Sequence, residues 1–327
     1  MMLTDRCFGV ELEVIVPGCP SQLPGNGCHH DRVAALLRQH GINAMSKAEL
    51  KANPRADASK VWIVTPDDSL EPETEAIQGT EIVSPILQGE DDMKTLKQVV
   101  QTLKDTGFNT NMLTGLHVHH DAQDLDIPAW KRLMVNYFLA EPAFDRLVSF
   151  ARRGNQNTHA LSTRQQEDIE PMLDEFDDEL TVDDICKQIF PGVRSNHDLK
   201  LNVDAFEKHG TVEFRQHEGT LDPDAVEHWV RLTQAFVDHS VNSPELISVN
   251  TGITDPLEAW EEVSDERPAA QNRLLGNLLN LVGRKTRAHF EAVVGRHDRA
   301  PTPPAWAMRE PVKQIAVPYT PALALGA

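Results

Sequence analysis

Three histidines fall within four residues in "TGLHVHHD" (residues 114–121), in a chain of 327 residues with 14 histidines altogether. Side chains two apart on an extended strand share a face, so His117 and His119 point together. The same parity aligns Glu11 with Glu13 in "GVELEVIV" and sets Glu213, Arg215 and His217 of "VEFRQHEGT" on one face, with Val212 and Phe214 on the other. Glu81 is the lone acid of "TEIVSP". Each segment taken singly is a half-exposed antiparallel strand with its charges outward. Taken together, their polar faces carry carboxylates, imidazoles and a guanidinium, with few of the lysines and threonines of a merely solvated face.

Mainly carboxylate with one imidazole suits Mg²⁺ or Mn²⁺, whereas zinc would draw more histidine or cysteine. An arginine two residues from a ligand glutamate cannot bind a cation, but it can hold an anion that bridges to one, most obviously a phosphate, by forked hydrogen bonds. The chain has no Gly-rich Walker sequence, so a nucleotide would be held through metal and arginine.

The elements that must position these groups follow from hydrophobic period and punctuation. "CFGVELEVIVPG" alternates as a strand and turns at Pro17-Gly18. "DRVAALLRQHG" predicts a helix capped by Asp31 and stopped by Gly41. "KVWIVTPDDSL" and "GTEIVSPIL" read as strands, the second with Pro85 near its end or on a sheet edge. "DDMKTLKQVVQTLKDTG" is a helix ending at Gly107, followed by the strand "TNMLTGLHVHHD". Helical spacing runs from Pro128 to about Arg153, with a short helix near 182–189. "DLKLNVDAF" and "GTVEFRQHEGT" predict a hairpin, and Asp222-Pro223 opens the amphipathic helix "DPDAVEHWVRLTQAFVDHSV". Helices near 256–264 and 270–294 come next. The sum is an α+β fold: a curved, mostly antiparallel sheet of about six strands with helices packed on one side. One domain is expected over 1–297, with a helical part from about 244, and then an extended proline-rich tail over 298–327.

Composition narrows the function. The formal net charge is −19, so nucleic acid and anionic membrane surfaces are poor partners. Ten of the acids lie in "EDIEPMLDEFDDELTVDD" (167–184), which reads as a solvated segment. Hydrophobic residues are 40% and charged residues 25% of the chain, as in a soluble globular protein. No apolar run suits a membrane span and the N-terminus does not read as a signal peptide. The four cysteines form no Cys-x-x-Cys, so reduced thiols and a cytoplasmic location are expected.

"FGVELE", "DDSL", "EIVSPIL", "TGLHVHHD", "RRGNQN" and "GTVEFRQHEGTLD", in this order over about 7–240, resemble the amidoligase family of the carboxylate–amine ligase superfamily, which includes glutamine synthetase and glutamate–cysteine ligase. "TGLHVHHD" and "TVEFRQHEGTLD" are the specific parts. The resemblance implies a fold like the glutamine synthetase catalytic domain, ATP, and Mg²⁺ or Mn²⁺. Glu11 and Glu13 match the first-strand metal pair, each facing a different ion. His117 matches a histidine that binds metal near the nucleotide phosphates, and Glu213 matches the late-strand metal glutamate. Arg215 matches the arginine beside it, which contacts phosphate or a substrate carboxylate. Glu81 is a further metal carboxylate in this reading, with Asp68 and Glu71 behind it. Arg152 and Arg153 match a basic pair for a carboxylate or the transferred phosphoryl group. Lys200 and Asn202, in "LKLNV", fall on the family's next strand as structural residues. The chain departs from the pattern at His159, where an aromatic is expected, and in its acidic run and tail.

The implied reaction activates a carboxylate as an acyl phosphate, which an amine then attacks to leave an amide. Arg215, Arg152 and Arg153 would stabilise the transferring phosphoryl oxygens, and His119 or a carboxylate would take the proton from the amine. The substrates would be small-molecule or peptide carboxylates and amines. Two other classes fit the same residue types: a metal-dependent hydrolase, which needs no ATP, and a non-catalytic homologue that binds metal or nucleotide.

Overall fold

A computed structural model describes residues 2–16, 28–66, 79–165, 168–174, 176, 180–188 and 196–299. Asp68, Glu71, parts of the acidic run and the proline-rich tail from residue 300 lie outside the described residues.

Strand β1 (Phe8–Ile15) buries Phe8, Val10, Leu12 and Val14 and turns its glutamates to the other face. Helix α1 (His29–Gln39) starts one turn earlier than the sequence suggests: Cys28 is its N-cap and Asp31 stands at N3, closing a capping box onto the Cys28 amide at 3.0 Å. Strand β2 (Ala44–Ser46) and helix α2 (Lys47–Ala52) follow, the helix capped by the Ser46 hydroxyl on the Glu49 amide at 3.0 Å. Then come β3 (Trp62–Thr65), β4 (Gly79–Val83), α3 (Gly89–Asp105), β5 (Gly115–Asp121) and α4 (Ile127–Asp145). Beyond them lie α5 (Glu170–Asp174), α6 (Val182–Gln188), β6 (Leu201–Asn202), α7 (Ala205–His209), β7 (Thr211–Glu218) and α8 (Pro223–Asn242). The chain continues through α9 (Pro256–Val263), α10 (Pro268–Leu279) and α11 (Arg284–His297).

The fold is α+β, with a seven-stranded sheet in the order β2-β3-β4-β1-β5-β7-β6. All pairs are antiparallel except the edge pair β2-β3, which is parallel. The count exceeds the expected six by β2, whose three residues are too short to display a period. The expected hairpin around "DAF" is an antiparallel pair, β6 with β7, joined through α7. The helix expected over 270–294 is two, α10 and α11, parted at Asn280–Gly283. Ile169 and Met172 of the acidic stretch, and Ile185 just after it, are fully or almost fully buried, so that stretch is anchored to the core rather than merely solvated. The two longest helices, α4 and α8, pack on each other, and α8 also packs on β5 and α3. They cover the apolar face of the sheet, where Leu12, Ile82, Leu116, Val118 and Phe214 are at most 2% exposed. The opposite face is left for polar groups. Among the described residues no helix is long and apolar enough to cross a membrane.

Candidate active site

Register explains why the polar residues meet. Glu81 on β4 stands opposite Glu13 on β1, and Glu11 opposite His117 on β5. His119 stands opposite Glu213 on β7, which in turn faces Asn202 on β6. Directly opposed residues share a face, so the groups form a row across five adjacent strands. His120 takes the other face, where its Nε2 lies 2.8 Å from Thr233 Oγ1 of α8. The histidine triplet therefore splits: two imidazoles face the acids and one belongs to the core.

The acids and imidazoles are within contact of one another. His117 Nδ1 is 3.2 Å from Glu11 Oε2 and 3.5 Å from Glu213 Oε1, and its Nε2 is 3.4 Å from Glu13 Oε1. His119 Nε2 lies 3.4 Å from Glu11 Oε1, while its Nδ1 meets Thr211 Oγ1 at 3.0 Å, a contact that aims Nε2 at the acids. Glu213 accepts from Arg215 Nη1 at 2.7 Å and from Asn202 Nδ2 at 2.6 Å. Glu13 accepts the Gly115 amide at 2.5 Å.

These contacts decide the charge state of a largely buried cluster. Burial opposes ionisation of Glu11, but hydrogen bonds from His117 and His119 hold its carboxyl well below the usual carboxylate range. Burial opposes the charge on Glu213 likewise, and Arg215 and His119 outweigh it. Burial also disfavours His119 as a cation, yet Glu213 and Glu11 raise its pKa.

Two groups of ligand atoms have metal-site spacing. One atom each from Glu11, His119 and Glu213 lies within 4.8 Å of the others, and so does one each from Glu11, Glu81 and His117. Glu11 is common to both. Glu13 belongs to neither triplet, although it borders His117. Two carboxylates and one imidazole in each triplet fit Mg²⁺ or Mn²⁺ better than zinc.

The expected arginines divide. Arg215 lies at the cluster, with its Nε 3.3 Å from His159 O. Arg152 is 2% exposed and donates through Nη2 to the carbonyls of Leu113 (3.1 Å) and Thr114. Its Nε is buried with no hydrogen-bond partner. Burial, with Arg215 nearby, lowers its pKa, and Glu13 and Glu218 oppose the shift. Arg153 instead donates Nε and Nη2 to Val148 O at 3.1 and 3.0 Å, which ties it to backbone rather than to the acids.

His217 also leaves the face that alternation assigns to it. The register of β5 and β7 shifts between Leu116 and Val118, so Arg215 and Gln216 together stand opposite His117. This bulge puts His217 opposite Leu116 on the apolar side, with its ring 4.8 Å from that of Trp229. Gly115 and Thr211 are site residues the chemistry-bearing types did not reveal. Each lies two residues before a cluster member on the same strand, which is the signal that could have found them.

Beside Glu11 and His119 opens a cavity of about 350 Å³, walled by Phe8, Val83, Pro85, Ile86 and His209. A larger one of about 410 Å³ between the N-terminal segment, α8 and the start of α11 has no such cluster of ligand atoms among the described residues.

Residues 4–237 match the family described as "Putative amidoligase enzyme". The chain belongs to this family. No curated protein matches this chain in sequence. Among solved structures, a novel glutamine synthase homolog is similar at 11% identity and a TM-score of 0.36, over 90% of this chain and 68% of that one. A bifunctional glutathione synthetase from Pasteurella multocida is similar at 12% identity and a TM-score of 0.35, over 90% of this chain and 49% of that one. This chain thus spans about half the length of the latter protein.

Proposed function

We propose that the protein is an ATP-dependent carboxylate–amine ligase that forms an amide through an acyl phosphate, with Mg²⁺ or Mn²⁺ as its metal. The observation that carries the reading is the convergence of Glu11, Glu81, His117, His119 and Glu213 with Arg215 and Arg152 on one sheet face, in a member of the amidoligase family.

Glu11, Glu81, His117, His119 and Glu213 would hold the metal, with Glu13 beside them. When bound, the metal supplies positive charge against the phosphate oxygens and orients them. The protein's own groups do the rest. Arg215, already paired with Glu213, and Arg152, with a buried donor to spare, face the oxygens of the phosphoryl group as it passes from ATP to the substrate carboxylate. The amine then attacks the acyl carbon, the carbon–oxygen bond to phosphate breaks, and inorganic phosphate leaves. With His119 given to the metal, the proton that the attacking amine loses goes to a carboxylate of the cluster, and we assign Glu13, which lies outside both triplets. Arg153 is left out of this role by its backbone contacts. The cavity next to Glu11 and His119 has apolar walls suited to the base of a nucleotide.

The test is ADP release by the purified protein with Mg²⁺, ATP, and pools of carboxylic acids and amines. A ligase releases ADP only when both an acid and an amine are present. Turnover without nucleotide would point to a hydrolase, and no turnover with any pool together with no ATP binding would end the ligase reading.

A further inference from the structure

One buried charge network ties down the two segments that present Arg152 and Arg215. Lys200 is fully buried, with its Nζ 2.8 Å from Glu141 Oε1 and 2.6 Å from Asp145 Oδ1, both on α4. The other carboxylate oxygens reach outward. Asp145 Oδ2 accepts the Gly154 amide at 2.9 Å, and Glu141 Oε2 accepts the Thr163 amide at 2.8 Å and its hydroxyl at 2.6 Å. These ties bracket residues 154–163, and Arg152 sits two residues ahead of the first. A third branch reaches β7: Gln216 Nε2 donates to Asp145 Oδ1, and Gln216 Oε1 accepts from Tyr137 OH at 2.8 Å. Gln216 follows Arg215 in the bulge, and Lys200 O accepts the Arg215 amide at 2.8 Å.

A lysine and two acids buried together are a poor way to gain stability. Their desolvation costs several kcal/mol per ion, and apolar residues of similar volume commonly serve as well or better. What charged, multiply bonded groups supply is direction. Direction is what this site needs, because two buried guanidiniums must be held near each other in spite of their repulsion.

We propose that Lys200, Glu141 and Asp145 are positioning residues: they clamp residues 152–163 and the β7 bulge to α4, and so fix Arg152 and Arg215 at the phosphoryl-transfer site. They touch neither substrate nor metal. The part of this that concerns what the arginines hold rests on the ligase reading.

The experiment compares the wild type with Asp145→Ala, Tyr137→Phe, Arg152→Ala and the double variant Asp145→Ala/Arg152→Ala. Asp145→Ala leaves Lys200 paired with Glu141, so no buried charge loses every partner. Tyr137→Phe removes one of the two bonds that hold Gln216, leaving its bond to Asp145, and guards against a folding failure in the first. The probes are Mn²⁺ alone, then pyrophosphate at saturating Mn²⁺, with amide hydrogen exchange over 149–163 and over α3 as reference. In Asp145→Ala, Mn²⁺ affinity stays within about twofold while pyrophosphate binds roughly tenfold more weakly. Exchange over 149–163 accelerates by about tenfold and α3 is unchanged. Tyr137→Phe shows the same pattern at about two- to threefold. In the double variant the loss of pyrophosphate binding is smaller than the sum of the two single losses, because Asp145 acts partly through that arginine and partly through Arg215. Additive losses, equal losses of Mn²⁺ and pyrophosphate, or unchanged exchange over 149–163 would overturn the proposal. If the wild type with Mn²⁺ bound no pyrophosphate, the ligase reading would fail, and the exchange comparison would decide the clamp by itself.

Discussion

Gly115 and His117 approach so closely that a β-carbon on the glycine would stand 2.7 Å from His117 Nε2 and 3.2 Å from Arg152 Nη2. The glycine's amide also donates to Glu13. A side chain there must displace the imidazole and crowds the guanidinium as well. Gly115→Ala is expected to fold, at a cost of about 1–3 kcal/mol for the crowding. It should lose more than half of the thermal stabilisation that Mn²⁺ gives the wild type. Melting curves with and without Mn²⁺ check this, and an undiminished Mn²⁺ shift would mean that the placement of His117 is irrelevant to the metal.

Glu11 is common to both candidate metal triplets, whereas Glu81 and Glu213 each serve one. Glu11→Gln should therefore abolish the Mn²⁺- or Mg²⁺-induced rise in melting temperature, and Glu81→Gln or Glu213→Gln should reduce it only in part. Glu13 borders His117 outside both triplets, so Glu13→Ala should remove less of the rise than Glu11→Gln does. Calorimetric titration with Mn²⁺ measures the same ranking as site numbers. Equal losses in Glu11→Gln and Glu81→Gln would contradict a shared ligand.

His120 separates stability from metal binding. Its ring is fully buried and bonds Thr233, away from the acids. His120→Ala should cost about 2–4 kcal/mol in urea unfolding, from the lost packing and the lost hydrogen bond to Thr233, whose hydroxyl keeps its bonds to Trp229 O and Val230 O. The variant should nevertheless keep the Mn²⁺ shift, while His119→Ala, which removes a ligand of one triplet, should lose part of it at a smaller cost in stability. The reverse pattern would exchange the roles assigned to the two histidines.

Acid stability has a local contributor far from the site. Arg231 grips Glu90 with both terminal nitrogens, at 2.8 and 2.6 Å, and this holds the Glu90 carboxyl down to about 2. A carboxyl depressed in the folded state adds stability above its unfolded value of about 4.3 and loses it as pH falls toward 2. Glu90 is partly exposed, so the contribution is about 1 kcal/mol. Glu90→Gln should lower the melting midpoint at pH 7 by about 1–2 °C, and the two melting curves should converge between about pH 4 and pH 2. A constant gap down to pH 2 would assign the effect to packing.

Parity carried most of what the sequence made legible. Two-residue spacing alone brought Glu11, His117, His119 and Glu213 to one face, because a pleated strand leaves no other choice once its inner face is apolar. Parity failed where the ladder is irregular. The bulge at Arg215 and Gln216 adds one residue without any change in residue type, so His217 looked like a third member of its row. Strand β2 is only three residues long and pairs in parallel with β3, which leaves no pattern in the chain. The α10–α11 break lacks a proline, and only Gly283, the N-cap of α11, marks it. Lys200 was named but not understood: a lysine beside a strand reads as solvent-facing unless its two acids, more than fifty residues upstream on α4, are known to reach it.

The extra residue in β7 gives adjacent positions unlike tasks: the Arg215 side chain belongs to the ion-binding face, while that of Gln216 belongs to the hidden framework behind it. Ironing the bulge out while keeping every residue would bring His217 opposite Gly115 and invert every later side chain of the strand. Such a slip would take Glu218 from the Ser149 amide it now holds and turn His217 out from beneath Trp229. Deleting Gln216 would instead keep that register but remove the side chain that joins the strand to Asp145 and Tyr137. The irregularity is thus a locked joint, in which one surplus residue couples the ion-binding face to the helix behind the sheet.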